Sequence, residues 1–194
     1  MRSHWRRLRP LHFEYQPDLD TDLNLFPNKD VVFFPEPVPG PDGRSCYAAL
    51  HRPMWDLGWI RGGTHIFLPA GLDDSRPGIW ISHIPVDDIQ RDVRALTHVH
   101  SHRLVALPQY DYEALKIGAG PPPIRVRDGW LLIHHGVSGA LTEGCAPQRD
   151  VHYAAGAMLL ASDDPAQVLA RTDTPLLAPA VTEERVGTVP NVRS

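Results

Sequence analysis

The sequence predicts an all-β protein made of repeated sheets of roughly four strands, the pattern of β-propeller blades. Three observations point there. The apolar runs are short, and each is closed by Gly, Pro or Asp, as strands of a turn-rich sheet protein are. The 20 prolines and 15 glycines lie between those runs rather than in one tract, so they act as punctuation and not as a sign of disorder. A weak internal repeat is also visible. "DGRSCYAALHRP" (42–53) resembles "DGWLLIHHGV" (128–137), and each is followed by a second, glycine-containing strand, "GIWISH" (78–83) or "GAMLLA" (156–161). Setting Tyr47 against Trp130 places Arg52 opposite His135.

In chain order, the predicted strands are "DVVFFPEPV" (30–38), "CYAALH" (46–51), "THIFLPA" (64–70), "GIWISHI" (78–84), "RLVALP" (103–108), "GWLLIHH" (129–135) and "AAGAMLLA" (154–161). Helix signals are few. Ile89, Val93 and Leu96 recur at helical spacing within 85–102 over two turns. "DDPAQVLART" (163–172) reads as one short helical turn, with Asp163 or Asp164 as N-cap and Pro165 at the first helical position. "KIGAGPPPI" (116–124) reads as a tight bend at Gly118 and Gly120. It is not a nucleotide loop. Three consecutive prolines remove the N–H donors a phosphate cradle needs, and no Gly-Lys-Ser/Thr runs into a helix.

Composition excludes several classes. A net charge of −4 provides no basic field for nucleic acid. No apolar run reaches the roughly 20 residues that span a bilayer. Two cysteines, Cys46 and Cys145, make no disulfide framework. The basic start "MRSHWRRLRPLHFEY" lacks an apolar signal core, so a cytoplasmic location is expected. The 11 histidines include "HVHSH", which would align His98, His100 and His102 on one face of an extended strand. No Cys pair or Glu stands nearby at ligand spacing, so no metal site is expected.

The motifs "FPNKDVVFFPEPV", "YAALHRPMW", "GIWISH", "LKIGAGPPPI", "GWLLIHHGV" and "YAAGAMLLASDDPAQVLART" together resemble glycoside hydrolase family 130, the β-mannoside phosphorylases and related β-mannosidases. The resemblance covers most of residues 5–192 and implies a five-bladed β-propeller, of which this chain would hold a partial propeller of roughly three blades. Residues 1–194 are expected to form that one partial domain. "SHWRRLRPLHFEY" looks like the end of one blade and "VPNVRS" like the start of another. After "GIWISH" the family usually continues with Ser-Pro-Asp-Leu and a His-Trp. Here 85–102 departs from that pattern, as a lineage-specific loop or a local reading-frame disturbance.

Asp30 opens an apolar strand directly after Lys29. Desolvation at such a strand end lets a carboxylate hold a proton near neutral pH, and the resemblance makes Asp30 the catalytic acid. A phosphorylase needs only one such acid, because phosphate is already an anion. It also needs cations and hydrogen-bond donors to hold that anion beside the anomeric carbon. By resemblance the phosphate and sugar contacts fall at Arg52, Lys116, His135 and Tyr153. Trp80 and Trp130 read as core, while Trp55 and Trp59 stay open between core and sugar platform. The expected partners are a mannose-containing oligosaccharide and inorganic phosphate as co-substrate, with no cofactor; a homo-oligomer is left open. Two alternatives stand beside phosphorolysis. One is hydrolysis, with Glu36 or Glu113 as base; the other is an inactive, truncated propeller fragment.

Overall fold

A computed structural model describes residues 7–57, 62–63, 65–140, 150–181 and 184. Within them the chain is all-β, a partial propeller of two successive sheets. Trp59, Cys145 and the "VPNVRS" strand lie outside the described residues, as do the first six residues.

The first sheet contains β1 (His12–Phe13), β2 (Asn28–Phe33), β3 (Val38–Pro39), β4 (Ser45–Pro53), β5 (Ile79–Pro85) and β6 (His98–Ala106). Its order is β1-β6-β5-β4-β2, with β3 also paired to β4. The second contains β7 (Lys116–Ala119), β8 (Ile124–Val126), β9 (Gly129–Ala140), β10 (Asp150–Leu160) and β11 (Val168–Arg171). Its order is β11-β10-β9-β7, with β8 also on β9. The internal repeat is real at this level: β4 pairs antiparallel with β5, as β9 does with β10.

The two sheets share one core. Leu50, Ile79 and Ile81 of the first pack with Ile117, Trp130, Leu132 and Met158 of the second. The opposite face of the first sheet is covered too, by Phe13, Leu23, Phe26 and Trp55 against Trp80 and Ile84. This explains why every residue of β5 is buried, Ser82 and His83 included, and why its apolar residues do not alternate with exposed polar ones. Trp80 and Trp130 are core, as expected. Trp55 joins them, edge-on to Phe26 and Trp80 at ring-centroid distances of 5.2 and 5.6 Å. Polar ties reinforce the seam. The Ile117 amide donates to the Pro77 carbonyl at 3.0 Å, and Arg103 grips both oxygens of Asp164 at 2.8 and 2.9 Å.

Three local expectations change. Residues 163–172 hold no helix: Asp164 caps a turn, its Oδ1 accepting from the Ala166 amide, and the apolar "VLAR" continues as β11 because it pairs with β10. Residues 65–70 contribute one bridge, Asp56 with Ile66, rather than a strand. The atypical segment folds as α1 (Val86–Arg91), a 3-10 turn (Val93–Thr97) and the first half of β6. No helix among the described residues is long and apolar enough to cross a membrane.

Candidate functional site

The edge strands β2 and β7 face each other where the two sheets converge, and the chemistry collects there. Lys29 pairs with Arg52 across β2 and β4, after which the register slips until Val32. Asp30 sits in that slip with a φ of 56°, a left-handed conformation that is uncommon outside glycine and is often found at functional sites. The irregularity turns Asp30 toward β7. There Gly118 lies opposite His135, and Lys116 opposite Val137. Tyr153 of β10 also pairs with Val137, bringing its ring 6.1 Å from that of His135. All five residues singled out in the sequence therefore meet in one place.

The contacts are close. Arg52 Nη1 lies 3.0 Å from Asp30 Oδ2 and 3.1 Å from His135 Nε2, and His135 Nε2 is 3.4 Å from the same Asp30 oxygen. A guanidinium has only donors, so the Arg52 contact requires a bare Nε2 and a neutral His135. Burial pushes His135 down in agreement, to about 4, with Arg52, His134 and Lys116 adding to the effect and Asp30 opposing it. Lys116 is also pushed down, first by burial and then by the charges of Arg52 and Lys29, against the pull of Asp30. Its ammonium makes no hydrogen bond among the described residues. The site thus sets one carboxylate against Arg52 and Lys116, with the charge of the exposed Lys29 also reaching Lys116 and a buried Arg52 Nε that lacks a partner. Such an arrangement is short of negative charge and suited to an oxyanion.

Gly118 is not the bend that its sequence suggests. It lies inside β7 at a negative φ. Its role is space: a Cβ there would fall 2.6 Å from His135 Cε1 and 2.8 Å from Arg52 Nη1, and nearer still to Asp30 Oδ2. Gly118→Ala is therefore expected to push these groups apart, costing about 1–3 kcal/mol by overpacking and weakening anion binding. Thermal melts and phosphate titration of the variant check both.

Sequence reasoning also passed over Lys29, although a Lys-Asp pair opening a strand was its visible signal. The histidine cluster does not form a metal centre: among the described residues no group of three or more ligating side chains comes together. Ser101, at a φ of 53°, kinks β6, leaving His98 exposed while His102 is buried.

Glu113, one of the two bases considered for hydrolysis, is fully buried and saturated. Its Oε2 accepts from the Gln109 and Tyr110 amides at 2.9 and 3.1 Å. Its Oε1 lies 2.8 Å from His134 Nε2 and 2.6 Å from Arg171 Nη2. Burial works to raise this carboxyl, but the bonds from His134, the two amides and Arg171 outweigh it and hold it at about 2. It has no lone pair for water. Glu36 is exposed in the bend between β2 and β3.

Comparison with known proteins gives the chain its family. The model of glycoside hydrolase family 130, described as beta-1,4-mannooligosaccharide phosphorylase, matches residues 83–193, more than half of the chain. The chain belongs to glycoside hydrolase family 130. Among family 130 relatives, a 1,2-beta-oligomannan phosphorylase of Thermoanaerobacter sp. (strain X514) is 33% identical over 86% of this chain and 41% of its own length. A beta-1,2-mannobiose phosphorylase of Listeria innocua serovar 6a is 33% identical over 88% of this chain and 38% of its own. The solved structure of the beta-1,2-mannobiose phosphorylase from Listeria innocua, in complex with beta-1,2-mannobiose, superposes with a TM-score of 0.58 at 31% identity. That match covers 85% of this chain and 36% of the other. The chain thus spans about two fifths of the curated relatives it matches.

Proposed function

We propose that this chain carries the phosphate-holding part of a β-mannoside phosphorylase. The observation that carries the reading is the convergence of Arg52, Lys116 and His135 from two sheets on one pocket. In the proposed reaction a phosphate oxygen attacks the anomeric carbon of a β-mannoside. The bond from that carbon to the leaving sugar oxygen breaks with inversion, and the oxygen gains a proton. The products are α-mannose 1-phosphate and a shortened sugar. Arg52 binds one face of the phosphate through paired donors, and Lys116 supplies a point charge. His135 and Tyr153 complete the polar wall. The phosphorylase names of the family 130 relatives support the same class. The occupied state of Glu113 favours phosphate over water as nucleophile, since hydrolysis with inversion needs a carboxylate base.

Asp30 is the proton donor in this reading. One specific observation favours a second role: its Oδ2 lies 3.0 Å from Arg52 Nη1, the distance of an ion pair that holds the guanidinium in place. Asp30→Asn separates the two. Loss of turnover with unchanged phosphate affinity marks a donor; weakened phosphate affinity marks a holder.

The test of the whole reading is incubation with β-mannobiose, with and without phosphate, assaying mannose 1-phosphate against free mannose. Phosphate-dependent mannose 1-phosphate is expected. Free mannose without phosphate would move the assignment to hydrolysis. No product from protein shown to be folded would overturn catalysis by this chain.

A further inference from the structure

Behind the anion pocket, the first sheet contains a buried line of polar side chains that the reaction above does not use. His102 Nε2 lies 2.8 Å from the Glu14 carbonyl oxygen. His102 Nδ1 lies 2.7 Å from Ser82 Oγ. Ser82 Oγ lies 2.7 Å from His51 Nε2, and His51 Nδ1 faces the Asn28 side-chain amide, with Nδ2 at 3.1 Å and Oδ1 at 3.2 Å. His51, Ser82 and His102 are all nearly inaccessible to solvent.

The direction of every bond follows from its fixed end. A carbonyl oxygen only accepts, so His102 carries its proton on Nε2. Burial favours the neutral ring in both histidines, which leaves His102 Nδ1 bare. Ser82 has one hydroxyl proton and must give it to that nitrogen. Its oxygen then accepts from His51 Nε2–H, so His51 Nδ1 is bare in turn. A bare nitrogen requires a donor, which selects Nδ2 of Asn28 over Oδ1. One carbonyl on β1's flank thereby sets the orientation of an amide 14 residues on in sequence, on the far edge of the sheet.

We infer that Ser82 and His102 are positioning residues that act through His51 to lock Asn28, and with it the Lys29–Asp30 end of β2, against β4 at the anion pocket. The need for such a lock is local. Asn28 pairs with Pro53, and Pro has no N–H to give to the ladder. Regular pairing is then lost between Lys29 and Val32. The side-chain chain holds the strand at the point where backbone bonds are missing, one residue before the Lys29–Arg52 pair and two before the strained Asp30. It also absorbs His102 of the "HVHSH" motif, which joins no group of three or more ligating side chains among the described residues.

The inference rests on the anion-site reading for its functional consequence but not for its structural core, and two measurements keep them apart. Long-range proton–nitrogen spectra of the histidine rings, recorded on the chain without ligand, are expected to show His51 and His102 neutral, each protonated on Nε2. A proton on Nδ1 of either ring overturns the chain. Ser82→Ala is then compared with wild type. Faster exchange of the Asn28 side-chain amide is expected, with a phosphate dissociation constant raised about 2- to 30-fold, the range of couplings carried through packed networks. An Asn28 amide unchanged in Ser82→Ala overturns the positioning role, whether or not phosphate binds. Where Ser82→Ala does not fold, His102→Gln, which keeps a donor toward Glu14, takes its place and is judged by the same amide. If wild type itself fails to bind inorganic phosphate while both spectral results hold, the anion-site reading falls and the lock on β2 stands.

Discussion

Arg52→Met is expected to abolish measurable phosphate binding and any phosphorolysis with it. Arg52 is buried to 4% exposure and its Nη1 is the shared neighbour of Asp30 and His135. Removing one member of a buried charge pair costs ~3–5 kcal/mol, which corresponds to about 10²- to 4 × 10³-fold in affinity when the lost partner is a ligand. The loss reaches beyond the ligand, because Asp30 keeps its charge without its guanidinium, so the single variant should also melt earlier. Adding Asp30→Asn removes that orphaned charge. The double variant is expected to recover stability while still failing to bind phosphate. Calorimetric titration with inorganic phosphate and thermal melts of the three variants check the pattern. An Arg52→Met protein that binds phosphate within about threefold of wild type would remove Arg52 from the site.

The convergence on Arg52 was legible in the sequence for a physical reason. Arg52 stands near the end of β4 and His135 in the middle of β9, at matching places of the repeat in two successive sheets that share one core. Setting Tyr47 against Trp130 put Arg52 opposite His135, 83 residues on, and the two side chains meet at 3.1 Å. Strands such as β5 and β9 were visible because Gly and Pro bound them. The same punctuation misled at β7, where Gly118 and the three prolines suggested a bend. Glycine there relieves crowding by Asp30, His135 and Arg52, and crowding by residues distant in sequence leaves no local trace. The line from Glu14 through His102, Ser82 and His51 to Asn28 was hidden for the same reason. Its members lie on five different segments, and only the pairing of β4, β5 and β6 stacks them. The helix expected at 163–172 failed on tertiary override: a capped turn followed by β-branched and apolar residues found a strand partner in β10.

The second large effect is expected at Glu113, on stability rather than chemistry. This carboxylate joins three parts of the fold: the Gln109–Tyr110 amides of the loop after β6, His134 of β9 and Arg171 of β11. Arg171 in turn donates to the Leu107 carbonyl at 2.8 Å, tying the strand β11 to the loop after β6. Glu113→Gln keeps the shape and deletes the charge, leaving the Arg171 guanidinium buried without its counter-ion. The displacement of Glu113 from 4.5 to about 2 is equivalent to ~3 kcal/mol, in line with the cost of breaking a buried pair. For a chain of this size that is a fall in Tm of about 6–12 °C. The pH dependence has a definite sign. A carboxyl whose folded pKa lies below its unfolded value stabilises fully above the unfolded value and loses that contribution as pH falls toward the folded one. The gap in Tm between wild type and Glu113→Gln should therefore be widest above pH 4.5 and close as pH approaches about 2. A gap that is absent at neutral pH, or that widens on acidification, would mean that Glu113 is protonated in the fold and that His134 and Arg171 are held by something else.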